Sequence, residues 1–123
     1  MKPVALEKLT VDQLVECFAE IGVAQDQALL YDEHKKFTRL FDQMHLVDIE
    51  LRARGLTARL ALLRLFDHQN MQVRLQAAKW SLGIAPEAAR HVIEEIKKAQ
   101  WFPQALEARM TLRNLDSGFF KPD

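Results

Sequence analysis

Hydrophobic residues recur at intervals of three and four along most of the chain, which is the spacing of one face of an α-helix. In the first half, Leu14, Phe18 and Ile21 mark one such face. A second stripe continues at the same spacing through Phe37, Leu40, Phe41, Met44, Val47 and Leu51. These stripes predict a helix from residue 11 to about 33 and another from about 35 to 54. The pattern leaves open whether a break or a smooth bend joins them.

Residues with strong preferences for helix ends divide the first two thirds further. Thr10-Val11-Asp12-Gln13 has the form of a capping box and predicts that the first helix starts near residue 11. Gly55, Leu56 and Thr57 predict a stop and a restart, in which Gly55 takes a left-handed conformation and Thr57 caps a third helix. That helix is predicted to run to about residue 67, and it is apolar on most sides.

The last third shows the same kind of punctuation. Asn70 is predicted to cap a fourth helix that Gly83 ends, and Pro86 to open a fifth helix at its first turn. The segment 101–103, Trp-Phe-Pro, separates the fifth helix from a sixth, at about 104 to 115, which the segment 116–118 ends. The prediction is an all-α chain of about six helices. Two alternatives remain for the tail: its phenylalanines pack on the domain, or a partner contacts them.

The predicted fourth helix is apolar on two faces. At about 100° per residue, Val73, Ala77 and Trp80 fall on one side of this helix. Leu75, Ala78 and Leu82 fall on nearly the opposite side. The two adjacent alanines leave room for close neighbours, so we expect the helix to lie between the third and fifth helices of a layered stack.

The stretch from residue 70 to 83, N-x-x-V-R-x-x-A-A-x-x-L-G, resembles a HEAT or armadillo-like repeat. It follows the segment ARLALLRLFDH and precedes IAPEAARHVIEEI. The positions of this sequence that match the repeat pattern are Val73, Arg74, Ala77, Ala78 and Leu82. The resemblance implies a right-handed stack of antiparallel helices, an alpha-alpha superhelix. It also implies a pairing of Arg74 with an acidic residue at the preceding turn, for which Asp67 is the candidate.

The resemblance covers residues 56 to 98, with a weaker echo in PQALEARMTLRNLDSG. We expect residues 1–123 to form a single domain: long N-terminal helices at 1–54 as a cap, a HEAT-like stack at 55–118 and a tail at 119–123. The segments LTVDQLVECFAEI, ELRARG and QALEARMTL also resemble a small bacterial family of uncharacterised function.

Composition and charge add limits to this picture. The hydrophobic fraction of 49% and the charged fraction of 28% are ordinary for a globular protein. The net charge is zero, but residues 1–50 carry five basic and ten acidic side chains and residues 51–123 carry twelve and seven. Such a chain can pair its own halves, attract a second copy head to tail, or present a modest basic patch. We expect a cytoplasmic protein without a membrane span, and its single cysteine, Cys17, excludes an internal disulfide.

No strong catalytic, cofactor-binding or metal-binding set appears. Asp42, His45 and Asp48 share roughly one helical face, but a solvated face explains them better than a metal site. The same holds for His91 and the glutamates of the fifth helix, which can pair with nearby basic residues. No phosphate-binding glycine loop occurs. We therefore predict no cofactor and no catalytic residue.

The leading hypothesis is a non-catalytic cytoplasmic protein-interaction module, because helical stacks bind macromolecules through extended faces. Its partner is an unknown protein, and a homodimer is an open alternative. The candidate interaction face consists of the following residues: Arg52, Arg59, Arg64, Trp101, Phe102, Phe119 and Phe120.

The alternative hypothesis is a helical-repeat enzyme or a protein that acts on nucleic acid through a concave face. The raw material for such a face is Arg52, Arg59, Trp80, His91 and Trp101. A sequence pI near 6.9 argues against nucleic-acid binding, because phosphate neutralisation usually requires a distinctly basic surface.

Overall fold

A computed structural model of the chain describes residues 5–123, and within this range it contains six α-helices and no strand. The helices are α1 (Val11–Leu30), α2 (His34–Ala53), α3 (Leu56–Leu60), α4 (Met71–Ser81), α5 (Pro86–Ala99) and α6 (Gln104–Ser117). Short 3-10 segments occur at Leu6–Lys8 and Ala61–Leu65. The prediction of an all-α chain with about six helices is confirmed. The predicted N-terminal region, 1–54, includes residues 1–4, which lie outside the described residues.

Contacts divide the chain into two compact units, with the boundary between Ala61 and Leu62. We call them the N-terminal unit, which contains α1 to α3, and the C-terminal unit, which contains α4 to α6. The predicted boundary between N-terminal helices and repeat-like helices lay at residue 54, seven residues earlier. The prediction of a single domain over both units stays a prediction.

In the N-terminal unit, α1 and α2 form an antiparallel hairpin whose contacts are made by the predicted stripes. Leu14, Phe18 and Ile21 of α1 are at most 2% exposed, as are Met44 and Leu51 of α2. The capping box is confirmed: the Thr10 hydroxyl accepts from the Gln13 amide, and the Gln13 side chain accepts from the Thr10 amide. These bonds satisfy two amides that the first helical turn leaves without a partner.

The link between α1 and α2 is a break, which settles the alternative that the sequence left open. The helix α1 ends at Leu30 instead of the predicted 33, because Asp32 adopts a left-handed conformation with a φ of 58°. The Glu33 amide then donates to the Ala28 carbonyl at 2.8 Å, and the Asp32 amide donates to Leu29. This pair of bonds is a Schellman motif, which closes the end of a helix and redirects the chain.

The predicted third helix is replaced by a shorter helix and a 3-10 segment. Gly55 has a φ of 104° and occupies the N-cap position of α3, so the predicted cap at Thr57 is wrong: Thr57 lies inside the helix. From Ala61 the chain tightens to three residues per turn, which brings Leu62 and Leu65 to the same side, and both are buried. A continuous α-helix would separate these two leucines by about 60° of rotation.

The C-terminal unit packs α4, α5 and α6 around one apolar cluster. Its buried members are Leu75, Ala78, Leu82, Ala89, Ile93, Ile96, Ala108 and Leu112. Asn70 caps α4 as predicted, since its side-chain oxygen accepts from the amides of Gln72 and Val73. Pro86 lies in the first turn of α5, also as predicted. Both local predictions hold because each depends on bonds within one helical turn.

Polar side chains join α4 to α6 along a second line of contact. The side-chain amide nitrogen of Gln104 donates to the side-chain oxygen of Gln72 at 3.0 Å, and both residues are buried. One turn further on, Glu107 accepts from Gln76 at 3.1 Å and from Lys79 at 2.9 Å. Buried polar groups require partners, and these bonds pair the Gln104 Nε2 atom with the Gln72 Oε1 atom and the Gln76 Nε2 atom with the Glu107 carboxylate. The helix α4 therefore has two buried faces, as predicted, but one of its neighbours in this unit is α6.

Candidate interaction surfaces

The three arginines of the predicted interaction face differ in accessibility. The Arg52 guanidinium donates to the Asp48 carboxylate at 2.6 Å, and its side chain is 30% exposed. Arg59 is buried, with 9% of its surface exposed, whereas Arg64 is exposed. A buried side chain has little surface to offer a phosphate or a partner protein, so Arg59 is not part of an exposed interaction surface.

Trp101 and Phe102 lie in the turn between α5 and α6, and both project into solvent. They are 61% and 65% exposed. The helix α5 ends at Ala99, and the next residue, Gln100, has a left-handed φ of 53°. The Trp101 carbonyl accepts from the Ala105 amide at 2.8 Å, so the turn leads directly into α6. The backbone that carries the two aromatic side chains is thus fixed at the start of α6.

Two exposed apolar side chains on α6 were missing from the predicted face. Leu106 and Met110 are 43% and 53% exposed and lie one turn apart, on the same side of the helix. The buried side of α6 is formed instead by Gln104, Ala105, Ala108, Thr111 and Leu112. Sequence patterning assigns leucine and methionine to a core by default, which is why both were overlooked.

The same side of α6 carries two arginines. Arg109 and Arg113 are exposed, and neither forms a salt bridge within residues 5–123. They lie one turn apart, beside the apolar pair. We define the α6 surface by these six residues: Trp101, Phe102, Leu106, Arg109, Met110 and Arg113.

The two phenylalanines of the tail have different environments: the alternative of packing on the domain holds for Phe120, whereas Phe119 is exposed. Phe119 is 84% exposed. Phe120 packs against the apolar cluster of the C-terminal unit, and its amide donates to the Asn114 carbonyl at 3.0 Å. Of the two, only Phe119 is fully available to a partner.

The repeat-like residues of α4 have structural roles. Val73, Ala77 and Ala78 are completely buried, and Leu82 is 4% exposed. The expected pairing of Arg74 with Asp67 is wrong, because the Arg74 guanidinium donates to the His68 carbonyl oxygen instead. This bond ties α4 to the turn that precedes it.

A groove of about 390 Å³ lies beside this turn, between the start of α4 and the middle of α5. Its apolar lining consists of Phe66, Met71, Val92 and Ile96, and its ionisable lining consists of Asp67, Arg74, His91 and Glu95. Because Asp67 and Glu95 offset the charge of Arg74, the groove shows no clear preference for an anion such as a phosphate.

The remaining candidate chemistry is sparse. Within residues 5–123, no three or more histidine, cysteine, aspartate or glutamate side chains are grouped so that they could hold a metal ion. Asp48, which the sequence places near His45, is buried and accepts from Arg52. Burial and the nearby Glu20 carboxylate raise the pKa of the Cys17 thiol, which disfavours a nucleophilic thiolate. No helix in the described part of the chain has both the length and the apolar character to cross a bilayer.

Comparison with known proteins places the chain in a family. Residues 12–116 match the family model described as a domain of unknown function, DUF2019. The crystal structure of the protein RPA1889 from Rhodopseudomonas palustris CGA009 superposes with a TM-score of 0.93 at 48% sequence identity. The match covers 98% of this chain and all of that one. None of the curated proteins compared matches the chain. The protein therefore belongs to the DUF2019 family, whose function is unknown, as the sequence resemblance to an uncharacterised family predicted.

Proposed function

We propose that the protein is a non-catalytic protein-interaction module and that the α6 surface is its binding face. One observation carries the proposal: four exposed apolar side chains adjoin two arginines that have no salt-bridge partner in the described chain. Aromatic residues, methionine and arginine are the types enriched at protein interfaces, and acidic residues are depleted there. The α6 surface contains no acidic residue.

Its energetics suit binding. Phe102, Leu106 and Met110 are each 43% to 65% exposed, so each has apolar area still to bury. Complete burial of such a side chain contributes roughly 1.5 to 3 kcal/mol, so the remaining area of three side chains can support a moderate affinity. The two arginines would select a partner with carboxylates beside its apolar patch.

The proposal includes a HEAT- or armadillo-like arrangement of the C-terminal helices, in a cytoplasmic protein of bacterial origin. The fully buried Ala77 and Ala78 support close packing on both sides of α4, as in such repeats. The family relative from Rhodopseudomonas palustris supports a bacterial source.

A capture experiment with two matched double variants tests the proposal. The wild-type chain, Leu106→Glu/Met110→Glu and Leu46→Glu/Ile49→Glu serve as baits for a bacterial lysate that also contains untagged chain. Leu46 and Ile49 are similarly exposed, at 55% and 48%, but lie on α2. We expect the wild type and the α2 variant to capture a protein, either untagged chain supplied at several hundred micromolar or another protein of the lysate, and the α6 variant to lose this capture. Equal capture by all three baits, or no capture, overturns the proposal.

A further inference from the structure

We infer that the partner of the α6 surface is a second copy of this chain, bound through the outward side of its helix α1. The inference rests on the proposed function and names the partner. The inference is based on two exposed helix faces of opposite charge, whose charged residues form no salt bridges in the described part of the chain. Each face is defined by the residue spacing along a single helix, α1 or α6.

The outward side of α1 is acidic at its start and apolar at its end. Glu16 and Glu20 are exposed and lie one turn apart, and in the part of the chain that the structure describes neither forms a salt bridge. Val23 follows on the same side at 36% exposure, and Leu30, at 76%, ends the helix. Two carboxylates one turn apart repel each other, so an isolated α1 gains from a cationic partner.

The two faces match residue for residue when the helices run antiparallel. Glu16, Glu20 and Val23 are separated by four and then three residues. Arg113, Arg109 and Leu106 show the same separations in the reverse direction. One register places Glu16 opposite Arg113 and Glu20 opposite Arg109. At 1.5 Å per residue, the first pair lies about 6 Å from the second pair along the helix axis.

The same register brings apolar groups together. Val23 lies opposite Leu106, and Met110 lies opposite Ala19, whose small side chain leaves space for it. Beyond them, the exposed Leu30 end of α1 reaches the turn that carries Trp101 and Phe102. Charge and apolar complementarity thus require the same alignment. The α6 surface favours a partner with carboxylates beside an apolar patch, and helix α1 of this chain presents both. This match favours a second copy over an unrelated partner.

Because the two faces differ, the contact is head to tail. One pair of helix faces is smaller than the roughly 1,200 to 2,000 Å² of a standard stable interface. We therefore expect reversible association at high micromolar concentrations, weakened by salt because its charges are exposed. The average mass should rise with protein concentration.

A charge-swap experiment on the purified chain tests the inference. Sedimentation velocity is measured on the wild type, on Glu16→Arg/Glu20→Arg and on Arg109→Glu/Arg113→Glu, up to several hundred micromolar. Each reversed variant sets like charges against each other, so its association constant should fall by more than about tenfold. An equimolar mixture of the two variants restores opposite charges at every contact, so it should associate as the wild type does.

Controls separate this contact from general charge effects. Lys35→Glu/Lys36→Glu changes the charge by the same amount as the arginine variant, at exposed positions on α2, and should associate like the wild type. Circular dichroism confirms that each variant folds. A wild type that stays monomeric, reversals without effect, a control that dissociates equally, or a mixture that stays monomeric would each overturn the inference. If the wild type is monomeric but still captures a protein through Leu106 and Met110, the proposed function stands and only this inference fails. If the capture experiment and the sedimentation experiment both fail, the proposed function and the inference are both overturned.

Discussion

Gly83 lies directly against the backbone of Asp123. A Cβ atom on residue 83 would collide with the Asp123 carbonyl carbon and come within 2.9 Å of its oxygen. The absence of a side chain at Gly83 is thus what lets the tail cross the turn between α4 and α5. The tail carries Phe120 into the apolar cluster and places the half-buried Pro122 near Pro86 and Arg90.

Gly83→Ala should displace the tail. Because Phe120 and Pro122 then lose part of their contacts, the free energy of unfolding should fall by about 1 kcal/mol in urea denaturation. The control is the same substitution in a chain that ends at Gly118, where the cost should disappear because there is no tail to displace. An equal cost in both chains would show that the methyl group acts on something other than the tail.

Phe119 and Phe120 form a natural pair for comparison, since they are adjacent in sequence and differ in burial. Phe120→Ala should lower the free energy of unfolding by about 1 to 3 kcal/mol, because it empties a site on the apolar cluster. Phe119→Ala, at a position 84% exposed, should change it by less than about 0.5 kcal/mol. Denaturation midpoints at equal protein concentration measure both, and similar effects would contradict the assigned packing of the tail.

Glu107→Gln tests the polar contact between α4 and α6. The substitution removes the charge that Lys79 binds at 2.9 Å, at side chains that are 29% and 35% exposed. We expect a loss of about 1 kcal/mol in the free energy of unfolding, which shrinks at high salt. Glu87→Gln, in the first turn of α5, is the matched control and should cost about 0.5 kcal/mol or less. A cost for Glu107→Gln no greater than that of the control would mean that the contact is not stabilising.

The Cys17 thiol should react slowly with a disulfide reagent such as DTNB at pH 8. Burial and, second, the Glu20 carboxylate raise its pKa, so less of the reactive thiolate is present at this pH than in unfolded chain. Glu20→Gln removes the charge, lowers this pKa and should speed the reaction. Glu16→Gln, also on α1, should leave the rate unchanged. Labelling as fast in the folded chain as in urea would refute the expectation.

Sequence reasoning succeeded where structure depends on near neighbours. The bonds made by Thr10, Gln13 and Asn70 each reach no more than three residues along the chain, so the local sequence contains all the information they need. The helix count and the two buried faces of α4 follow in the same way from the spacing of apolar residues. These features required no knowledge of the neighbouring elements.

It failed where several arrangements satisfy the same local pattern. Asp32 takes a left-handed conformation that sequence rules assign mainly to glycine, so the end of α1 was placed too late. Arg74 had both an acid and a carbonyl within reach, and only the three-dimensional path of the turn selects His68. The α6 surface was half found: the aromatic turn was visible, but the exposure of Leu106 and Met110 depends on alanines that fill the opposite side.

The polar contacts between α4 and α6 have a consequence for how these helices are aligned. The hydrophobic effect alone is not directional. The Gln72–Gln104 side-chain pair and the shared carboxylate of Glu107 form directional contacts, since a slip of one turn would leave buried donors and acceptors without partners. These few bonds therefore permit only one alignment of α6 against α4. The position of the α6 surface is then set by hydrogen bonds on the buried side of the same helix.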